Sequence, residues 1–228
     1  ALRLQFGVGS LGNALMSAFA DADFGDVPVS YYGEVIQDGL LDMLDDGFLE
    51  AASATSLALS ESGQDRLFSD VERYAEDVVL RPADVSNGGE LVSRLGVVAV
   101  NSALEVDLFG QVNSTHLGGS DVLNGIGGSG DFARHAALPI VALPSTAKGG
   151  DISRVVPSVP HVDHTEHDIA VVVTDQGVAD LRGLDPRERA QELIENCAAP
   201  VYRDDLRAWL EDAGEGHIPA GAARGLDW

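Results

Sequence analysis

A single glutamate, Glu34, stands where α/β enzymes often carry a reactive group. It follows the apolar, strand-like segment Val27–Tyr32 and then Gly33, and the helical segment Gln37–Asp46 comes shortly after it. Enzymes of this class use the ends of their strands for chemistry. The alternative is a solvated glutamate at the start of a helix, where the helix dipole stabilises negative charge. Because the chain has 37 acidic residues, this segment alone favours the alternative.

Two glycine-rich segments could bind an anion through backbone N–H groups. The first, Gly7-x-Gly9-x-x-Gly12, lies between the strand-like Leu4–Val8 and the helical Asn13–Ala22. Glycines at a helix start let N–H groups approach an oxygen anion closely. A dinucleotide site is one alternative, although the acid expected about 20 residues further on is present only loosely. A tight turn that binds nothing is the other.

The second glycine-rich segment is Asn124–Arg134. It has four glycines in six residues, from Gly125 to Gly130, ahead of a helix-like run. Successive N–H groups in such a segment form a concave nest that can hold an anion. A flexible loop is the alternative, and the apolar segments that flank the glycines closely make it less attractive.

A histidine-rich segment, His161–Asp168, raises the question of a metal site. Its histidines recur at every third residue, and side chains at i, i+3 and i+6 of a helix do not converge on one ion. The single cysteine, Cys197, adds no spacing typical of a zinc site. We therefore predict no metal and interpret the segment as a polar structural loop. Cys197 itself is expected to be a buried, inert thiol.

Strand-like and helical segments alternate along the chain, which predicts an α/β fold with a largely parallel sheet. Besides the segments named above, buried strands are expected at Phe48–Ala54, Val78–Leu80, Val97–Val100, Pro139–Leu143 and Ile169–Thr174. A further helix should begin with Asp185 as N-cap, Pro186 in the first helical position and Glu188 completing a capping box. The stretch Val97–Thr115 predicts a hairpin on the sheet.

The charge balance excludes some classes of partner. The chain has 37 acidic and 14 basic residues, a net charge of -23, and Lys148 is its only lysine. Nucleic acids and anionic membranes are bound by positive surfaces, so neither is an expected partner. The acids are spread along the whole chain, which indicates a solvated surface adapted to high salt and thus a halophilic source.

The sequence also bears on localisation and on how the chain begins and ends. No apolar run approaches the roughly 20 residues of a membrane-spanning helix, and no leader indicates secretion, so we expect a cytoplasmic protein without a membrane partner. The chain opens with Ala1 and runs directly into a strand-like segment, so we expect it to be part of a longer protein. After Asp212 the sequence turns to glycine, alanine and isolated charges, which predicts a weakly ordered tail over 213–228.

Longer motifs follow one another in order from about Leu4 to Leu210. They are Gly7–Ser10, Gly33–Gly39, Ala52–Ser56, Asp84–Asn87, Glu105–Thr115, Asn124–Arg134, Ser145–Gly150, His161–His164 and Val173–Gly183. Together they resemble the acetyl-CoA hydrolase and CoA-transferase family, the class I CoA-transferases, and within it most closely the succinyl-CoA:acetate CoA-transferases. So many long motifs in register do not coincide by chance.

The resemblance implies a fold and a domain arrangement. Family members have two related α/β domains, and this chain is similar to the second. Residues 1–212 are therefore expected to form the carboxy-terminal catalytic domain, with the amino-terminal domain absent from this chain. The expected fold is the NagB/RpiA/CoA-transferase-like one, an open, mostly parallel sheet with helices on both faces. The resemblance also implies a homodimer.

The resemblance assigns roles to individual residues. The family's nucleophile, the glutamate of an E-x-I-x-D-G segment, matches Glu34, which outweighs the helix-start interpretation and leaves the rival, Glu105, as a structural residue. Asn87 matches a residue near the catalytic glutamate and is expected to orient it or a carbonyl. Residues expected to donate to an oxyanion or to bind CoA are Gly7, Val8, Gly9, Ser10, Leu11, Asn124, Gly127, Gly128 and Lys148. One departure is Asp175, where the family often has Glu, which can change a hydrogen bond near CoA.

The expected reaction is transfer of CoA between a short-chain acyl-CoA, acetyl-CoA or succinyl-CoA, and a small carboxylate. CoA is then a substrate, and the intermediate is a glutamyl-CoA thioester on Glu34. Acetyl-CoA hydrolysis at the same site, with water capturing the intermediate, is one alternative. A CoA-binding or assembly module is the non-enzymatic alternative for a chain without the amino-terminal half.

Overall fold

The computed structural model describes residues 1–118 and 120–213. The predicted tail lies outside the described residues from position 214 onward. The strands are β1 (Leu2–Phe6), β2 (Val29–Tyr32), β3 (Val35–Ile36), β4 (Ala51–Ala54), β5 (Ser56–Leu57), β6 (Val78–Leu80), β7 (Val98–Ser102), β8 (Glu105–Asp107), β9 (Val112–Asn113), β10 (His116–Leu117), β11 (Asp121–Val122), β12 (Leu138–Ala142), β13 (Thr146–Ala147), β14 (Ile152–Ser153), β15 (Val155–Val156), β16 (Val171–Val173) and β17 (Val178–Asp180).

The helices are mostly short. They are α1 (Ser10–Ala20), α2 (Asp38–Asp45), α3 (Glu61–Ser69), α4 (Val71–Asp77), α5 (Ala83–Ser86), α6 (Gly89–Leu95), α7 (Ser129–His135), α8 (Pro186–Asn196) and α9 (Arg203–Ala213). Short 3-10 turns lie at Lys148–Gly150 and Pro200–Tyr202. Across the described ranges, no helix has the length and apolar character needed to span a membrane.

The chain forms two compact units, and the first comprises residues 1–102 and 127–140. Its sheet has the order β6-β4-β2-β1-β7, followed by the first residues of β12. The pairs from β6 through β7 are all parallel. The chain moves from β1 outward to β2, β4 and β6, and then returns to the other side of β1 with β7. In open α/β sheets, ligands bind beyond the carboxyl ends of the strands where the strand order reverses in this way.

One buried cluster of unit 1 joins the elements that carry candidate site residues. It consists of Tyr32, Val92, Val97, Ala99 and Phe132, each at most 5% exposed. These side chains come from β2, α6, α7 and the start of β7. A large apolar side chain contributes about 1.5–3 kcal/mol when buried. The cluster therefore anchors the end of β2, just before Glu34, and helix α7, which begins just after Gly128.

Unit 2 comprises residues 103–126 and, within the part of the chain that the structure describes, residues 141–213. Strands β8 and β9 form an antiparallel hairpin, and β15 pairs in parallel with β8. Three further antiparallel pairs are β10–β11, β13–β14 and β16–β17. Helices α8 and α9 pack together. Cys197, at the end of α8, is fully buried, and burial raises the pKa of its thiol to about 11.

The predicted α/β class and the parallel sheet are confirmed. The predicted start of α8 is also confirmed: the Asp185 side chain accepts hydrogen bonds from the N–H groups of Arg187 and Glu188, and the Glu188 side chain accepts one from the N–H of Asp185. The hairpin predicted on the main sheet at Val97–Thr115 is wrong. Strand β7 joins the parallel sheet, but the chain leaves unit 1 after residue 102, and β8 and β9 form their hairpin in a separate three-stranded sheet.

Candidate active site

The candidate nucleophile, Glu34, lies in a tightly held turn after β2. Its carbonyl oxygen accepts hydrogen bonds from the N–H groups of Thr55 (2.8 Å) and Ser56 (3.1 Å). The next carbonyl, of Val35, accepts a hydrogen bond of 2.9 Å from the hydroxyl of Tyr31. The backbone is thus fixed on both sides of Glu34, while its side chain remains half-buried.

Tyr31 accounts for the glycine that precedes Glu34. A β-carbon at position 33 would overlap the Tyr31 hydroxyl and lie 2.5 Å from the ring carbon that bears it. Only glycine therefore lets the turn close over this side chain. Burial, and more weakly the charge of Glu34, raises the pKa of Tyr31 well above its ordinary value. The hydroxyl stays protonated and can donate at neutral pH.

Asn87 lies beside the carboxylate of Glu34. It follows the short helix α5, and its Nδ2 is 3.4 Å from Oε2 of Glu34 and 3.2 Å from Oδ2 of Asp131. The amide nitrogen therefore donates to two carboxylates, one through each of its N–H groups. The opposite amide orientation would turn Oδ1 toward both carboxylates, which electrostatic repulsion disfavours. As oriented, Oδ1 is buried and has no hydrogen-bond partner among the described residues.

Gly128 closes the other side of this group. A β-carbon at position 128 would overlap Oε2 of Glu34 and lie 2.5 Å from Nδ2 of Asn87. The backbone there has φ −81° and ψ 1°, which any residue can adopt, so the contact itself requires glycine. The glycine-rich segment thus brings its backbone directly against the carboxylate of Glu34. Gly127, next to it, is exposed and has a φ of +54°.

The first glycine-rich loop is connected to the same segment through Gln37. The Gln37 side chain, 5% exposed, accepts a hydrogen bond of 3.2 Å from the N–H of Gly9 and donates a long one of 3.5 Å to the carbonyl of Gly7. A β-carbon at Gly12 would overlap that same carbonyl. Gln37 lies three residues after Glu34, so its hydrogen bonds connect the Gly7–Gly12 loop to the segment that carries the candidate nucleophile.

The N–H groups of this loop are only partly available to a ligand. The N–H of Gly7 donates to the carbonyl of Val100 (2.9 Å), and that of Gly9 donates to Gln37. Val8 is 58% exposed, and α1 begins at Ser10. The first N–H groups of a helix have no intrahelical partner. Any anion bound at this loop therefore depends on the N–H groups of Val8 and of the first residues of α1, not on those of Gly7 and Gly9.

The remaining predicted residues, Asn124 and Lys148, belong to unit 2. Asn124 is exposed, and its side chain donates to the carbonyl of Ser114 (3.3 Å). Lys148 is exposed in the turn between β13 and β14, with a φ of +49° that is uncommon outside glycine. Glu105, the rival nucleophile, accepts a hydrogen bond of 2.6 Å from Asn113 within the β8–β9 hairpin.

Asp175, where the family often has Glu, is fully engaged by its neighbours. Its carboxylate accepts hydrogen bonds from the N–H of Ser145 (2.5 Å), the hydroxyl of Ser145 (3.1 Å) and the amide of Gln176 (2.7 Å). The backbone hydrogen bond from Ser145 leads in holding the pKa of Asp175 below its ordinary value. The shorter acid therefore still serves as an ionised acceptor.

Three supporting residues, Tyr31, Gln37 and Asp131, had no role in the sequence prediction. Gln37 and Asp131 lie inside the motifs that carry the family resemblance, three residues after Glu34 and three after Gly128. That spacing is the only signal that could have marked them. Tyr31 is one of several apolar or aromatic strand residues, and nothing local distinguishes it.

Comparison with known proteins identifies the family of this chain. Residues 63–210 match the family described as the acetyl-CoA hydrolase/transferase C-terminal domain. The chain is 48% identical over its whole length to a succinyl-CoA:acetate CoA-transferase of Clostridium kluyveri, of which it covers 42%. It is 47% identical to an acetyl-CoA hydrolase of Yarrowia lipolytica, a match over 93% of this chain and 41% of that protein. A solved structure of a 4-hydroxybutyrate CoA-transferase from Porphyromonas gingivalis superposes with a TM-score of 0.73 at 26% identity, over 92% of this chain and 51% of that one.

The fold is therefore that of the CoA-transferases, an α/β fold with a large, mostly parallel sheet. The chain belongs to the acetyl-CoA hydrolase/transferase C-terminal domain family. It spans less than half the length of the curated relatives it matches, 42% of one and 41% of the other.

Proposed function

We propose that this chain carries the catalytic residues of a CoA-transferase that exchanges CoA between a short-chain acyl-CoA and a small carboxylate. Glu34 is the nucleophile. The observation that carries the proposal is the contact of Glu34 Oε2 with the backbone of Gly128 on one side and the amide of Asn87 on the other. A surface glutamate needs no such enclosure, whereas a nucleophile must be held in one geometry.

The chemistry proceeds by alternating attack of carboxylate and thiolate. The Glu34 carboxylate adds to the thioester carbonyl, the carbon–sulfur bond breaks, and CoA leaves as thiolate from a mixed anhydride. The thiolate then attacks the glutamyl carbonyl, releases the first acid as carboxylate and leaves a glutamyl-CoA thioester. A second carboxylate reverses both steps, so that water never captures the activated acyl group.

Each addition puts negative charge on a carbonyl oxygen that needs N–H donors. In other enzymes such a donor is worth about 3–4 kcal/mol. We assign this role to the backbone at Gly127 and Gly128 and to the N–H groups of Val8, Ser10 and Leu11, because those of Gly7 and Gly9 donate within the protein. Gly7 and Gly9 then shape the loop.

Two residues of unit 2 are assigned to substrate binding. Lys148, the only lysine, is proposed to contact a phosphate of CoA, and its exposure fits a group that must reach a large ligand. Asn124 is proposed to bind CoA close by in sequence to the glycine nest. Binding of the remote part of CoA can then be used to position the thioester.

Asn87 orients the nucleophile rather than reacting. Its amide donates to Glu34, and Asp131 accepts the second N–H, which keeps the donor face turned toward the nucleophile. This arrangement stabilises the attacking carboxylate and holds it in place, and placement within about 1 Å is worth roughly 100-fold in rate.

A second candidate function is acetyl-CoA hydrolysis, which the similarity to an acetyl-CoA hydrolase favours. The same residues would serve, with water replacing the second carboxylate.

We further propose that the active enzyme is a cytoplasmic homodimer that includes an amino-terminal half, since the matched relatives are more than twice as long. The net charge of -23 supports a halophilic setting.

The test is mass spectrometry of the longer polypeptide that carries this chain, in high salt, after incubation with acetyl-CoA and borohydride. Borohydride reduces a glutamyl thioester to an alcohol, so the peptide that contains Glu34 should lose a small, defined mass. The mark should be absent in Glu34→Ala. An unmarked peptide with steady CoA release would contradict the covalent route and favour direct hydrolysis with Glu34 as a base. Binding of CoA without any turnover would instead indicate a binding module.

A further inference from the structure

Three side chains of unit 2, His116, His161 and Asp163, lie close together and have no role assigned above. Asn124, which was assigned to CoA binding, donates to the carbonyls of the adjacent Ser114 and Thr115. Their potential ligand atoms, one from each, all lie within 4.8 Å of one another, and each residue is half-buried. His116 is on β10, whereas His161 and Asp163 are on the loop between β15 and β16. That loop is attached to β9, because the N–H groups of Asp163 and His164 both donate to the carbonyl of Val112 (2.9 and 3.1 Å).

Asp163 is held in one orientation as an ionised acceptor. Its carboxylate accepts hydrogen bonds from the N–H of Ser114 (2.7 Å) and from the hydroxyl of Thr115 (2.8 and 2.9 Å to the two oxygens). Its side chain is only 6% exposed.

The same hydroxyl determines the tautomer of His116. Thr115 Oγ1 lies 2.6 Å from Nδ1 of His116. A hydroxyl has one proton, and an ionised carboxylate can only accept, so that proton goes to Asp163. Nδ1 of His116 must then be the donor to Thr115, and its Nε2 carries the free lone pair. In metal-binding histidines, one ring nitrogen typically donates a hydrogen bond while the other binds the metal.

His161 completes the group. Its Nε2 is 3.2 Å from Oδ1 of Asp163, and its ring lies against that of His116 with centroids 3.7 Å apart and planes at 31°. Two imidazoles and one carboxylate thus form one compact group.

We propose that His116, His161 and Asp163 bind a divalent first-row transition metal, for which Zn²⁺ is the probe. Two imidazole nitrogens and a carboxylate oxygen are a usual ligand set for these ions, with a fourth position left for water. The ion replaces the direct contact between His161 and Asp163, while the hydroxyl of Thr115 holds both His116 and Asp163 in place. The ion joins β10 to the β15–β16 loop and so stabilises unit 2.

The inference departs from the prediction that the histidine-rich segment binds no metal. The three histidines considered there do not converge: the His164 backbone pairs with Val112, and the His167 side chain is 80% exposed beside Glu166. The group instead takes one histidine from that segment and adds His116, which lies far away in the chain.

The experiment is Zn²⁺ titration of the EDTA-treated chain by calorimetry, with Co²⁺ absorption spectra to report nitrogen ligands. Wild type should bind one equivalent tightly, with a rise in Tm, and His161→Ala should bind it more than tenfold more weakly. His161 suits the test because its side chain is 37% exposed, so its loss spares the core. The matched control, His167→Ala, should bind as wild type does.

A second variant separates metal binding from adventitious uptake by so acidic a chain. Thr115→Val removes the hydroxyl that prepares His116 and should weaken Zn²⁺ binding about 10–100-fold, with circular dichroism confirming that the fold persists. Binding that is equal in wild type, His161→Ala and His167→Ala would overturn the proposal. So would a wild-type chain that takes up no Zn²⁺, since the cluster would then be a hydrogen-bonded pair and nothing more.

Discussion

Replacing Gly128 with alanine tests the enclosure of the nucleophile directly. The backbone at this position, with φ −81° and ψ 1°, accepts alanine without strain. The added methyl group, however, would overlap Oε2 of Glu34 and lie 2.5 Å from Nδ2 of Asn87, where β-carbons keep at least 3.0 Å. The carboxylate and the amide must therefore move, and the change acts on them alone.

The expected loss of activity follows from that displacement. The carboxylate has to shift by roughly 1 Å, and a misplacement of that size costs about 100-fold in rate. Its hydrogen bond to Asn87, already long at 3.4 Å, should break, and a hydrogen bond to a charged group contributes about 1.5–3 kcal/mol. We therefore expect kcat to fall by at least about 100-fold.

The assay is exchange of CoA between labelled acetate and acetyl-CoA, with kcat and KM measured separately. The control is Gly125→Ala in the same glycine-rich segment, where an added β-carbon meets nothing within 4 Å and φ is not positive. Its kcat should stay within about twofold of wild type, as for an ordinary surface substitution. Full activity in Gly128→Ala, or an equal loss in Gly125→Ala, would refute the argument that this backbone positions Glu34.

Three further predictions concern individual side chains. Asn87→Ala removes a donor to a carboxylate, worth about 1.5–3 kcal/mol, and should lower kcat in the exchange assay by roughly 10–100-fold; an unchanged kcat contradicts a positioning role. Tyr31→Phe leaves the carbonyl of Val35 without its donor and should lower the free energy of unfolding in urea by about 1–3 kcal/mol, whereas no loss would mean that the hydrogen bond does not stabilise the turn. Burial, against the backbone hydrogen bonds it accepts, raises the pKa of Asp107 to about 6. The folded state then holds the proton of the Asp107 carboxyl more tightly than the unfolded chain does. The stability that the protonated carboxyl contributes is therefore complete at low pH and is lost as the pH rises through about 6. Compared with Asp107→Asn, wild type should lose about 3 kcal/mol of unfolding free energy between about pH 4 and pH 7, and a constant difference in denaturant titrations would refute this.

Local patterns predicted the elements whose signals are local. The start of α8 was predicted to the residue, because a capping box and a proline in the first turn depend only on neighbours in the chain. Helix α9 was missed, although Leu206, Leu210 and Ala213 are buried at helical spacing within it. Helix α6 starts with Gly89, after Gly88 as its N-cap, and has only seven residues, so its pattern is too short to recognise. The α/β class could be predicted from the alternation of strand-like and helical segments alone.

The candidate site could not be predicted from local signals. Read alone, the segment around Glu34 favoured a solvated helix-start residue, and only the family motifs reversed that interpretation. The contact between Glu34 and Gly128 joins residues that are far apart in the chain, and it depends on how β2 and α7 share one core. The cluster around His116 was missed for the same reason, since spacing within one segment says nothing about a partner from another.

The amide of Asn87 bears on the choice between transfer and hydrolysis. Its nitrogen faces Glu34 and Asp131, so its buried oxygen, which has no partner among the described residues, is available to accept a hydrogen bond from water or from a substrate. Neither a thioester nor a carboxylate has a proton to donate, but an amide N–H of CoA or a water molecule does. A donor from CoA would keep water away from Glu34, whereas a water held there would lie beside the nucleophile. We expect the donor to be CoA, in which case Asn87→Ala removes the acceptor that fixes the CoA arm and the ratio of acetyl-CoA hydrolysed to CoA transferred should rise. An unchanged ratio would show that this oxygen takes no part in excluding water.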